Sequence, residues 1–168
     1  MEDSTRLHEY LITPQISWQA NEHLQAGMAY TLLGVRDTAG FNNDHRLELE
    51  LNPHWELADW VRLDLRNRLE VRFREGPGNG TERTRHRLQF SFPLYHTGAL
   101  KSLFVNNEVF LDLDRHQYNQ NRLTPLGVSI RLSEHSQMRV FYMLQSTRLR
   151  ADWDHAHALG THLQFQLR

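Results

Sequence analysis

Arginines and carboxylates recur at every second position along one stretch of this chain, and that spacing sets the chemistry open to them. Arg62, Asp64, Arg66, Arg68, Glu70 and Arg72 share one parity, and Arg83, Arg85, Arg87 and Gln89 repeat it. Side chains two residues apart leave an extended strand on the same face, so each run forms one charged wall. Asn106, Glu108, Asp112 and Asp114 continue the pattern, with Arg131 and Arg139 beyond. Of 19 basic residues, only Lys101 is a lysine, and enclosed ion networks favour arginine for its planar five-donor fork and weaker hydration. Buried guanidinium groups must be paired, or desolvation is prohibitive. Counting across the hairpins places Glu70 opposite Arg85 or Arg87, and Arg87 beside Glu108. We therefore expect a structural, interior polar network of Arg66, Arg68, Glu70, Arg72, Arg85, Arg87, Asn106, Glu108, Arg122, Arg131 and Arg139. Arg122 lies on the apolar parity of its own strand. Pro125 cannot donate a ladder hydrogen bond, and a bulge there would turn Arg122 inward.

Other reactive residue types lack an organising pattern. The chain holds 11 histidines, including His155 and His157 two apart, with His45 and His116 expected near the same rim. No helical His-x-x-x-His or Glu-x-x-His arrangement gathers them, so no metal and no cofactor are expected. Ser91, Ser102, Ser129 and Ser146 lie on strands or at their ends without a nucleophile elbow around them. Gly76-Pro77-Gly78-Asn79-Gly80 reads as a hairpin loop and lacks the Lys-Ser/Thr of a phosphate cradle. Catalysis is not expected, although lipid modification is an alternative reading.

The elements that must position these walls are strands. In 61–73 odd positions are apolar except Asn67 and even positions are charged, a period no amphipathic helix produces. Similar runs occupy 46–51, 87–92, 103–113, 126–132, 138–144 and 159–167, with weaker ones over 7–19 and 23–36. That makes nine strands and no helix. Short connections are expected at 20–22, 52–59, 93–101 and 133–136, and longer ones at 37–44, 74–82, 114–120 and 151–154, as in outer-membrane barrels with short periplasmic turns.

The opposite face carries Leu47, Leu49, Leu51, Leu63, Leu65, Leu69, Leu126, Leu159, Leu163 and their in-frame neighbours. Its polar interruptions are Asn67, Asn107 and Thr161, and it bears no charge. Because a lipid-facing Arg or Lys costs about 2–4 kcal/mol at mid-bilayer, that is the pattern a membrane selects. Strands of a dozen residues suit a tilted span. Trp18, Trp55, Trp60 and Tyr95 at one end, and Phe41, Tyr118 and Trp153 at the other, make an aromatic girdle. A soluble lipocalin-like barrel, with leucines around a ligand, is the competing arrangement.

Composition bounds the rest. A length of 168 residues, 23% charged and with net charge −1, fits one domain over 1–168 and argues against a nucleic-acid partner. Residues 1–6 read as a disordered or tag-like start and contain no export signal. Single-chain bacterial barrels have an even strand number, so we expect a further N-terminal strand and a signal upstream of this sequence.

Asn67-Arg68-Leu69-Glu70-Val71-Arg72, Arg83-Thr84-Arg85-His86-Arg87-Leu88, Asn107-Glu108-Val109-Phe110, Asn119-Gln120-Asn121-Arg122 and the Gly127 strand followed by Val140-Phe141-Tyr142 resemble, in order and spacing, the domain of unknown function 2490 family. The resemblance runs from about Leu24 to the C-terminus. It implies a bacterial outer-membrane β-barrel with no established activity, and it transfers no catalytic residue. Ala158-Leu159-Gly160-Thr161-His162-Leu163-Gln164-Phe165 also resembles the C-terminal signal read by barrel-assembly machinery.

The expectation is an all-β, up-and-down antiparallel transmembrane barrel of nine to ten visible strands. It would be a monomer in the bacterial outer membrane, in contact with lipid and with the assembly machinery, serving a structural envelope role around a side-chain-filled polar interior.

Overall fold

A computed structural model describes residues 9–36, 40–74, 80–94, 98–149 and 152–165. Ten strands make one antiparallel sheet: β1 (Glu9–Ile12), β2 (Gln15–Asn21), β3 (Leu24–Arg36), β4 (Phe41–Ala58), β5 (Val61–Arg74), β6 (Gly80–Pro93), β7 (Leu100–Asp112), β8 (Gln117–Arg131), β9 (Ser136–Leu149) and β10 (Asp152–Phe165). From β3 onward each strand pairs with the next, the up-and-down order expected. β1 and β2 both pair with β3, along Leu32–Val35 and Leu24–Ala29. They are one edge strand interrupted at Thr13-Pro14, where Pro14 still accepts a hydrogen bond from the Tyr30 amide at 3.1 Å. Nine ladder-forming segments therefore match the nine periodic runs. Among the described residues no ladder joins β10 to β1 or β2, so the sheet is a half-barrel with two free edges.

Strands extend well past the periodic cores wherever both faces are polar. β8 begins at Gln117, and its first half, through Arg122, shows no apolar alternation. β4 continues through Asn52 and Pro53 to Ala58, since a proline removes one donor and the ladder with β5 resumes at His54. Residues 52–58 and 117–120 are therefore strand where connections were expected. The described connections are 22–23, 59–60 and 132–135 at one rim and 113–116 at the other. The loop reading for 76–79, Tyr95 and the reading for residues 1–6 lie outside the described residues.

Burial is inverted relative to a soluble protein. The largest fully buried side chains are Phe104, Phe110, Glu48 and Glu70. Leu159 is 79% exposed, and Leu47, Leu49, Leu51, Leu88, Leu103, Leu126 and Leu163 are exposed beside it in the outer frame. Leucines thus cover the convex face and do not enclose a ligand, which removes the lipocalin-like arrangement. The outward polar groups satisfy one another across strands. His86 meets Asn67 at 2.8 Å, Asn121 donates to Asn107 at 2.7 Å, and His155 meets Ser146 at 2.9 Å. Trp60 stacks on Phe92 at one rim, and Tyr118 packs on Trp153 at the other.

One row inside the sheet alternates rings with glycines. Phe104, Gly127, Phe141 and Gly160 are successive cross-strand partners on β7 to β10. A Cβ on Gly127 would overlap the Phe104 ring, and one on Gly160 would overlap Phe141. Each ring lies over a glycine of the next strand, a packing that covers the bare backbone.

Candidate functional site

The charged walls face one another across the concave side of the sheet. Glu70, wholly buried on β5, receives Arg83 at 2.5 Å and Arg85 at 2.6 Å from β6. Its register partner is Arg83, with Arg85 opposite Arg68, so the expected pairing with Arg85 or Arg87 is displaced along the strand. The reason is local: β5 and β6 pair up to Phe73 and Gly80, a tighter hairpin than the polar sequence implied. Arg68 binds both Glu48 and Glu50 of β4, and Arg72 reaches Asp44 at 2.5 Å. Glu108 on β7 takes Arg66 at 2.6 Å and Arg85 at 3.1 Å. Each of these carboxylates is held by charge-assisted hydrogen bonds, the strong kind in a low-dielectric interior.

Arg87 departs from expectation. It is the register partner of Glu108, yet that carboxylate is engaged by Arg66 and Arg85. The Arg87 Nε is buried with no partner. Facing Cα positions do not decide an ion pair when longer diagonals let two other forks reach first. Arg131 is a second correction. It sits exposed at the rim with Lys101 and Ser133 to Gln137 around it, outside the network. Being on the inward parity does not enclose a residue that lies at a strand's end.

The ladder of β8 shifts register between Leu123 and Leu126, around Thr124 and Pro125. Before the shift Arg122 faces inward, its Nε donating to Gln145 at 2.9 Å and its guanidinium 5.1 Å from the Phe110 centroid. Arg139 donates to Gln89 at 2.8 Å and lies 3.9 Å over the Phe104 ring. Asn106 lines the same interior region.

Sequence reasoning missed two sets of residues. Asp44, Glu48 and Glu50 supply half of the arginine partners, and the alternation in 46–51 already placed them on the charged parity. Phe104 and Phe110 share the even parity of Asn106 and Glu108, but as aromatics they were not expected inside. Phe110 carries Arg83, Arg85 and Arg122 within about 5.1 Å of its centroid. A ring face attracts a guanidinium electrostatically, so aromatics fit among arginines.

The interior is not filled throughout. A polar cavity of about 960 Å³ reaches the rim near Glu22 and Lys101 and is lined from every strand but β1. The network closes the other half of the concave side, and this space replaces the uniformly packed interior expected. Among the described residues no three His, Asp or Glu side chains gather as a metal site. His155 and His157 instead bond to Ser146 and Tyr142.

Comparison with known proteins places the fold. A solved structure described as a bacterial polysaccharide outer membrane secretin superposes with a TM-score of 0.64 at 12% sequence identity, over 95% of this chain and 57% of that one. The chain thus spans little more than half the length of that structure, and the likeness is one of fold. No curated protein matches the chain. The family model for DUF2490, described as a protein of unknown function, matches residues 1–156, reaching further toward the N-terminus than the motifs did and ending within β10, short of the C-terminus to which the resemblance was expected to run. With its motifs, its antiparallel sheet and nearly its whole length accounted for, this chain belongs to the DUF2490 family.

Proposed function

We propose that this protein is a bacterial outer-membrane β-barrel with a structural role in the envelope, its leucine-rich convex face in lipid and its ion-paired concave face enclosed. One observation carries the reading: Glu70 is 0% exposed and Glu48 2%, while Leu159 is 79% exposed on the opposite face. In water this arrangement leaves a broad apolar surface uncovered, which soluble monomers avoid. In a bilayer the same surface is the favourable one. The outward Asn, His and Tyr groups bond across strands, as polar groups facing hydrocarbon require. The secretin-like fold agrees with that location. The partners in this reading are outer-membrane lipids and the barrel-assembly machinery; the protein acts as a monomer whose two sheet edges, at β1–β2 and at β10, must be paired in the membrane, because open edges are not tolerated in hydrocarbon.

The test is fractionation of cells expressing the exported protein, followed by electrophoresis of unheated and boiled samples. Recovery in the outer membrane with a heat-dependent mobility shift is expected. A monodisperse protein in detergent-free buffer would overturn the proposal. Leu49→Arg sharpens the test: at mid-bilayer it costs about 2–4 kcal/mol and should lower the folded yield in lipid vesicles.

A further inference from the structure

The interior charges do not balance locally. Asp44 is held by Arg46 and Arg72, Glu48 and Glu50 by Arg68, Glu70 by Arg83 and Arg85, Glu108 by Arg66 and Arg85, and Asp64 by Arg62. Three further interior arginines, Arg87, Arg122 and Arg139, have no carboxylate at ion-pairing distance among the described residues. Their supports are neutral. Arg139 rests on Gln89 and Phe104, Arg122 on Gln145 and Phe110, and the Arg87 Nε is buried with no partner at all.

All three line one pocket of about 210 Å³ that β5 to β10 surround, beside Glu108 and the two arginines it already holds, Arg66 and Arg85, with Phe104, Phe141 and Met143 as its apolar wall. Arg87 and Arg139 also line the large polar cavity, which gives the pocket a path to the rim. Glutamines and ring faces orient a guanidinium without neutralising it. Buried charge without a counter-charge is costly, and a convergent set of such forks is the usual recognition element for carboxylate or phosphate.

We propose that this pocket binds a small organic anion, a carboxylate or phosphate carried on an apolar or ring-shaped body. The anionic group meets Arg87, Arg122 and Arg139, and the body lies against Phe104, Phe141 and Met143. The inference concerns the concave side alone and does not depend on what the convex face touches. An inorganic counter-ion would satisfy the arginines but leave the apolar wall unused, so the two occupants separate by experiment.

The full chain, folded in detergent micelles in low-salt buffer, is titrated calorimetrically with phenylphosphate, inorganic phosphate and benzyl alcohol. Phenylphosphate is expected to bind at least about tenfold more tightly than inorganic phosphate, and the neutral alcohol not to bind. Arg87→Gln and Arg139→Gln should each weaken phenylphosphate by about tenfold or more, with Arg87→Lys retaining most of the affinity. Arg62→Gln, whose side chain does not line this pocket, should bind as the parent does. Far-UV circular dichroism, which reads strand content whatever the convex face touches, checks that each variant is folded. Absence of binding at millimolar phenylphosphate overturns the proposal, as does affinity undiminished in both glutamine variants. Equal affinity for phenylphosphate and inorganic phosphate overturns the organic part, leaving an ordinary counter-ion site.

Discussion

Across β4 to β6 the interior carboxylates Asp44, Glu48, Glu50 and Glu70 each hold at least one arginine, whereas β8 and β9 present Arg122 and Arg139 to glutamines and aromatic rings. Both regions are polar and enclosed by the same sheet, yet they solve the cost of burying charge differently. In the first, forks and carboxylates interlock, and removing any member leaves an uncompensated charge. In the second the cations are held in place with their charge unspent, beside a cavity. A closed network makes a wall, and an open one leaves charge for something else to meet. The row of rings and glycines lies on the second side too, with Phe104 and Phe141 over Gly127 and Gly160.

Glu70→Ala tests the closed region most severely. It strands Arg83 and Arg85, and should cost about 3–5 kcal/mol, read as a lower urea midpoint of the micelle-folded protein. A midpoint equal to the parent's would break the contrast. Glu108→Ala comes next. It frees Arg66 and Arg85, not Arg87, and being nearer the cavity should cost somewhat less, about 2–4 kcal/mol. A double-mutant cycle with Arg85→Ala should show strong coupling, and one with Arg87→Ala a clearly weaker one, since Arg87 faces Glu108 across the ladder without an ion pair to it. Gly127→Ala probes the ring row: the added methyl overlaps Phe104, for about 1–3 kcal/mol, and Phe104→Leu in the same chain should recover part of the loss. Arg87→Gln is the smallest. With no ion pair to break, it should shift the midpoint by less than about 1 kcal/mol in either direction, and a loss as large as that of Glu70→Ala would show that the two regions are one network.

How far the chain could be read in advance varied with the kind of residue. The run 61–73 disclosed β5 almost to its ends, because alternating Leu and Arg leave only one strand geometry open. β6 showed two contrasting faces only over 87–92, and its earlier part was read from the arginine parity alone, since Thr84 and His86 put polar atoms on the other face as well. Pro125 announced the shift in β8, whereas Pro53 marked no break in β4. A proline withholds one hydrogen bond, and whether that ends a strand depends on which neighbour lacks it.

Period-two alternation by itself determined that this protein is a sheet with a charged and an aliphatic face, because side chains on an extended backbone have no other way to segregate. The tertiary structure alone decided that the charged face is the concave one, that Glu108 goes to Arg66 and Arg85 while Arg87 is left over, and that part of the interior is open. Those outcomes depend on curvature and on distances between strands that are not neighbours, and a pattern local to one strand carries neither.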